Sequence, residues 1–224
     1  EAYLWGAAGQ LPDESRIFGH EYAPGITAGD DIFTVMSSDI FRGSAFALGY
    51  VNPDNLRGMN VWSDMYKVIR KANLMLARMD ECQDMTALDR RNYTGYIHFL
   101  RGYAYYHILM TCGPAILVGD EIFESNLDGP AYNTYRATYD ETVEYICSEL
   151  ETAAAYLPLK ASIAQFERPT KGAAYALIAR LRLHAASPLF NGTSTARLYF
   201  GNWKRTYDKA YYINQNYSEE KWAL

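Results

Sequence analysis

Apolar residues recur at helical spacing in four stretches of this 224-residue sequence. From about Met59 to Asp80, Trp62, Met65, Tyr66, Ile69, Ala72, Asn73 and Leu76 share one side, and Lys67, Arg70, Lys71 and Arg78 supply polar positions. From about Asp89 to Thr111, Tyr96, Phe99, Leu100, Tyr103, Tyr106, His107 and Met110 form a stripe widened by Ile97, Ala104 and Ile108. Cys112-Gly113-Pro114 then stops the helix. The third helix has the clearest start: Thr138 caps it and Glu141 follows three residues later, the spacing of a capping box. Its stripe runs through Tyr139, Val143, Ile146, Leu150, Ala153, Ala154 and Leu157 to Pro158. The fourth starts at Thr170, a capping residue after Pro169, carries Ala174, Leu177, Ile178, Leu181 and Ala185, and ends before Pro188.

The fourth helix is apolar almost all the way round, which predicts a rod sandwiched between other helices. Its alanines (173, 174, 176 and 179) allow close approach, and Gly102 in the second helix reads the same way. Arg101, Arg180 and Arg182 then need carboxylate or carbonyl partners, because an unpaired buried charge is very costly. Helix pairs joined by loops predict an all-α helical-repeat scaffold, although no clean sequence repeat is present. Three connections are long: residues 10–58, 113–136 and 188–217. Connections of this length are functional or disordered, and their aromatics, including Tyr22, Phe33, Phe41, Phe46, Tyr50, Tyr199 and Trp203, favour order. Ser218-Glu219-Glu220 reads as a further helix start.

Composition narrows the function classes. A content of 49% hydrophobic and 21% charged residues is that of a folded chain. The net charge of -5 argues against a phosphate-backbone binder. No apolar run approaches the roughly 20 residues that span a bilayer. Cys82, Cys112 and Cys147 are too widely spaced for a disulfide framework or a zinc pattern and read as small buried or half-buried thiols. The sequence lacks HExxH, a Gly-rich phosphate loop and a nucleophile elbow. His20, His98, His107 and His184 are dispersed and read as packed or solvated side chains. Asp30-Asp31 is the best acidic pair, suited to calcium or to ligand hydrogen bonds, and equally to a solvated turn or cap. No cofactor and no metal follow from these patterns. Aromatic content, at 15% with 20 tyrosines, is the outlier, and it suits cores, interfaces and sugar or peptide surfaces alike.

Taken together, the helix motifs resemble the SusD/RagB family of outer-membrane nutrient-binding lipoproteins. "VWSDMYKVIRKANLML" (61–76) is similar to the family's W…Y..I..AN helix. "GYIHFLRGYAYYHILMTCGPAILVGD" (95–120) resembles its FLRA-Y-Y helix and the extended crossing after it. "RPTKGAAYALIARLRLHAASPLFNG" (168–192) is similar to its TKGAA…ASPLFNG pattern, the most specific of the blocks. "INQNYSEEKWA" (213–223) resembles the loop and helix start that follow, which favours a loop around Trp203. Gly102 stands where alanine is usual, and Cys112-Gly113-Pro114 replaces a commoner Tyr-Gly-Asp.

The resemblance implies a tetratricopeptide-like scaffold with long irregular loops, residues 1–224 forming one helical domain of a longer protein. It implies a non-enzymatic protein of the outer-membrane cell surface, lipid-anchored through a cysteine outside this sequence. Such a protein binds a glycan or, in some branches, a peptide, and partners a SusC-like TonB-dependent transporter. Nucleic acid is not an expected partner. Sugar rings stack their C–H faces on aromatic rings, removing both from water. Phe33, Phe41, Phe46, Tyr50 and Trp203 are the candidate platforms, and Asp30, Asp31, Arg42 and Asn52 their polar partners. Trp62 and Tyr66 belong to the core on this reading. A helical-repeat interaction module without a small ligand is the competing class, and a glycosidase a third.

Overall fold

The computed structural model describes residues 1–13, 25–30, 32, 43–52, 54–56, 61–124, 128–132 and 134–224. These form α1 (Ala2–Ala8), α2 (Gly43–Ala47), α3 (Trp62–Arg78), α4 (Ala87–Cys112), α5 (Tyr139–Tyr156), α6 (Lys171–Ala186), α7 (Ser194–Phe200) and α8 (Glu220–Ala223), with short 3-10 turns between them. Among the described residues the extended pairings are two isolated bridges, Asn52 with Asn55 and Lys204 with Tyr211. No described helix is long and apolar enough to cross a membrane.

The four long helices stack in chain order, α3 on α4, α4 on α5 and α5 on α6, with α1 laid against α3. Each pair is antiparallel: Asn73 meets Arg101 and Met79 meets Thr94, Gly102 meets Leu150 and Gly95 meets Leu157, and Glu144 meets Arg182 while Tyr139 meets His184. The fold is therefore the all-α stack that the sequence predicts. Caps set the starts. Thr138 and Glu141 form the expected capping box on α5, and Thr170 accepts from the Ala173 amide on α6. A second capping box, Thr86 with Asp89, starts α4 two residues earlier than the apolar period indicates. α7 lies inside the connection read as irregular, and the chain after it, around Trp203, is a loop.

α4 is the central helix. Tyr96, Ile97, Leu100, Ala104, Tyr105, Tyr106, Ile108 and Leu109 are buried on nearly every side of it. Two glycines let α5 approach: a Cβ on Gly102 would stand 3.2 Å from Leu150, and one on Gly95 would stand 3.0 Å from Leu157. Trp62 and Tyr66 are half-buried against this core.

α6 departs from expectation. Ala174, Leu177, Leu181 and Ala185 pack inward, but Tyr175, Ala176, Ala179 and Leu183 face outward and are exposed. The sandwich is one-sided because, among the described elements, α5 and α8 are the ones that cover it. Arg182 forks Glu144, whereas Arg180 is exposed and lies 5.8 Å over the Tyr106 ring. Leu183 is 64% exposed. Leu183→Glu is therefore expected to change unfolding free energy, read from urea denaturation, by no more than about 0.5 kcal/mol. A large loss of stability would mean that this face is already packed.

The "FNG" ending of the fourth-helix motif has a packing reason. Asn191 is buried and pairs with both backbone groups of Ser218, its Nδ2 donating at 2.8 Å and its Oδ1 accepting at 2.9 Å. Gly192 has φ +59, and a Cβ there would stand 2.0 Å from the Asn216 carbonyl carbon. Lys221 adds an ion pair to Asp140 at 2.5 Å, so the segment leading into α8 is docked on the α5–α6 end.

Candidate functional site

α4 ends at Gly113, whose φ of +77 turns the chain back across the stack. A set of buried and half-buried side chains holds this crossing. The Tyr66 hydroxyl donates to the Ile116 carbonyl at 2.9 Å and accepts from its amide at 2.7 Å. The Tyr105 hydroxyl accepts from the Val118 amide, and burial pushes its pKa up to about 12. Asn73 Nδ2 donates to the carbonyls of Gly119 and Glu121 at 2.9 and 2.8 Å. Arg136 stacks over Trp62 at 4.4 Å and donates to the Cys112 and Pro114 carbonyls. At the centre, Arg101 forks Glu149 through Nε and Nη2 at 2.8 and 2.7 Å, and His98 reaches the same carboxylate at 2.9 Å. Burial alone would raise the Glu149 pKa, but the His98 and Arg101 contacts hold it below the usual carboxylate range. Arg101 and Glu149 are thus committed to each other, and Arg101 also to the crossing.

The irregular segment before α3 carries the loop candidates. The 3-10 turn Gly25–Ala28 packs on α2, with Thr27, Ser44 and Ala45 buried between them. Phe46, Leu48 and Tyr50 face outward from this small unit, Phe46 at 43% and Tyr50 at 53% exposure. Gly49, with φ +71, ends α2, and the Tyr50 amide donates back to the Ala45 carbonyl at 2.8 Å. Asn52 Oδ1 accepts from the amides of Asp54 and Asn55 at 3.0 and 2.9 Å, closing its own turn and leaving its NH2 group to offer a ligand. Asp30 is exposed just past the 3-10 turn. Phe46 and Tyr50 thus stand on one short unit, α2 packed on the 3-10 turn, while Asp30 follows that turn and Asn52 closes the next one. Asp31, Phe33, Phe41 and Arg42 lie outside the described residues.

Trp203 has a different setting. It is half-buried, its ring near 3.3 Å from where a Cβ on Gly113 would stand, with Phe200 and Tyr212 as ring neighbours at 6.1 and 4.7 Å. It walls the core at the end of α4 and is not a free platform. Among the described residues, no three of His, Cys, Asp and Glu gather as a divalent metal would require.

The sequence reading missed one feature. A groove of about 1190 Å³ runs between α1, α4, α6 and the loop before α6. Phe99, Tyr103 and Tyr106 stack in a row along α4, at centroid spacings of 5.9 and 5.8 Å, and the half-buried Phe99 and Tyr103 open into this groove. Ile163 and Phe166 stand almost fully exposed on its rim. By period Phe99 and Tyr103 looked like core, and the exposed Ile163 and Phe166 in the connecting loop were the available signal.

Residues 30–183 match the model of a SusD-like family described as starch-binding and associating with the outer membrane. The chain belongs to the SusD-like family. Solved SusD-like structures share its fold. A SusD-like protein from Bacteroides fragilis is 23% identical and aligns with TM-score 0.65 over 83% of this chain and 34% of its own. A laminarin-binding SusD-like protein is 23% identical with TM-score 0.63, over 83% and 40% of the two chains. Surface glycan-binding protein A from Bacteroides uniformis is 22% identical with TM-score 0.63, over 84% and 42%. The SusD-like chain therefore spans between a third and a little over two fifths of the length of these structures. No curated protein sequence matches it significantly. In this SusD-like chain the matched region includes Asp30, Phe46, Tyr50 and Asn52 together with the clamp, and leaves Trp203 outside.

Proposed function

We propose that this SusD-like chain contributes the binding surface of a non-enzymatic, lipid-anchored protein of the outer-membrane cell surface. It captures a glycan and delivers it to a TonB-dependent transporter. The observation that carries this reading is the pair of outward-facing rings, Phe46 and Tyr50, on a short unit within the matched region. The ligands of the relatives support the same reading, since one is laminarin-binding and another is a surface glycan-binding protein. Flat exposed rings suit a pyranose, whose C–H face stacks, and Asn52 and Asp30 on the same stretch of chain offer groups to its hydroxyls.

Calorimetry of the chain against laminarin, starch oligosaccharides and a set of oligopeptides tests the reading. Phe46→Ala and Tyr50→Ala are each expected to weaken glycan binding roughly tenfold, about 1.4 kcal/mol, without lowering the unfolding midpoint. Binding to oligopeptides and to no glycan would assign the chain to the peptide-binding branch. Delivery is tested by capture from detergent-solubilised outer membranes, where recovery of a TonB-dependent barrel is expected.

A second reading rests on the open apolar side of α6 and the adjoining groove, which favour a protein partner over a small ligand. It predicts that Leu183→Glu abolishes barrel capture while Phe46→Ala leaves it intact.

A further inference from the structure

Trp203 is fixed to the core, but the loop that it anchors carries an exposed ring at its tip. Residues 203–212 fold back on themselves. The Arg205 amide donates to the Ala210 carbonyl at 2.8 Å and the Tyr212 amide to the Trp203 carbonyl at 3.1 Å, on either side of the Lys204–Tyr211 bridge. Side chains brace the turn. Arg205 forks Asp208 through Nε and Nη2 at 3.1 and 2.6 Å, and its Nη1 reaches Glu141 on α5 at 3.1 Å. Asp208 also accepts from the Ala210 amide at 3.0 Å. The base is tied to the stack, because the Tyr139 amide donates to the Tyr212 carbonyl at 2.7 Å and Ile213 is buried.

At the tip Tyr207 meets Tyr135, which lies near the end of the crossing before α5. Their ring centroids are 4.2 Å apart and their planes 40° from each other. Tyr135 is held from its own side: the next residue, Arg136, donates to the Cys112 and Pro114 carbonyls, and the Ala137 amide donates to the Ala115 carbonyl. Two separately pinned segments thus present one pair of rings, with Tyr135 61% and Tyr207 52% exposed. Because the backbone on both sides is already fixed, a ligand that covers the rings pays little for ordering them. The surroundings choose the ligand. Thr206, Asp208 and Lys209 flank Tyr207 and are exposed. The centre of a protein interface is instead depleted in charge and belongs to a patch of roughly 800 Å² on each partner. A small aromatic island in a polar turn suits one sugar ring, whose C–H face stacks while its hydroxyls meet polar neighbours. We propose that Tyr135 and Tyr207 form a second sugar-stacking platform, distinct from Phe46 and Tyr50, which takes a pyranose unit of the glycan. The proposal rests on the glycan reading above.

Titration of the 224-residue chain with laminarin and with starch oligosaccharides, followed by calorimetry and by tyrosine-ring NMR, tests the platform. The Tyr135 and Tyr207 ring signals, assigned with Tyr135→Phe and Tyr207→Phe, are expected to shift as glycan is added, and to do so in the Phe46→Ala variant as well. Tyr135→Ala with Tyr207→Ala is expected to weaken binding roughly tenfold with the unfolding midpoint held. Tyr207→Phe keeps the ring and is expected to keep the affinity. Undiminished binding by the paired Ala variant, with ring signals that stay in place, would overturn the platform. Weaker binding by Phe46→Ala in the same titrations would then leave the glycan reading standing. A wild type that binds no glycan overturns both. Full glycan affinity in the paired Ala variant, together with lost capture of the barrel, would make the rings a protein contact and overturn the platform alone.

Discussion

Arg101→Met is expected to cost roughly 3–5 kcal/mol of folding stability, seen as a lower urea midpoint with an unchanged slope. Arg101 is 3% exposed and joins three helices and the crossing. Its fork holds Glu149 on α5, and Nη1 donates to Asn73 Oδ1 on α3 at 2.8 Å and to the crossing at the Gly119 carbonyl. The Asp120 contact at 2.6 Å adds little, because that carboxylate is largely exposed. Removing the guanidinium leaves Glu149 buried, with the His98 ring as its remaining side-chain partner. The cost comes from a stranded carboxylate more than from a lost attraction. The pair itself carries a heavy desolvation cost, so Arg101→Met with Glu149→Leu should recover much of the loss. A double variant as unstable as the single one would place the damage in the released crossing.

The long helices were legible because burial of one stripe imposes a period, and Thr138 and Thr170 mark starts by chemistry that local sequence displays. Thr86 escaped notice because its partner three residues on is Asp89, a shorter acid than the usual Glu or Gln, and because Leu88 is exposed and breaks the stripe. α7 was missed because seven residues carry barely two turns of pattern. The all-round apolar character of α6 was read as complete burial. Composition reports that a face is suited to being covered, but which segment covers it is a long-range property, and here one side is open. The same limit divides the site candidates. Phe46 and Trp203 are both large rings in irregular segments, and only packing over Gly113 separates a core wall from an exposed platform. Arg101 was legible as needing a partner, but Glu149, 48 residues away in the chain, was not identifiable as that partner.

Stability is expected to fall in two stages on acidification, and the first stage begins well above the carboxylate range. His107 is buried on α4; burial first and the nearby Arg180 charge second lower its pKa to about 4, from the ordinary 6.5. As pH falls through 6.5 the unfolded chain takes up a proton on this ring and the folded chain does not, so unfolding is favoured. The loss accumulates to roughly 3 kcal/mol by about pH 4, where the folded protein also protonates. His184 shifts in the same direction from the same two causes, but it is more exposed and adds less. Glu149 has the opposite role: its lowered pKa adds stability that is complete above the ordinary 4.5 and drains as pH falls through the folded value. Urea unfolding from about pH 7.5 to about pH 2.5 should therefore show a decline in the wild type that starts near pH 6.5 and a second one below about pH 4.5. His107→Phe should flatten that first stage and leave the second. Glu149→Gln should lower stability at neutral pH and reduce the second stage while leaving the first. A wild-type midpoint that stays level down to pH 4.5 would mean that the folded protein admits a charged imidazole at position 107, and the packing of α4 described above would have to be redrawn around it.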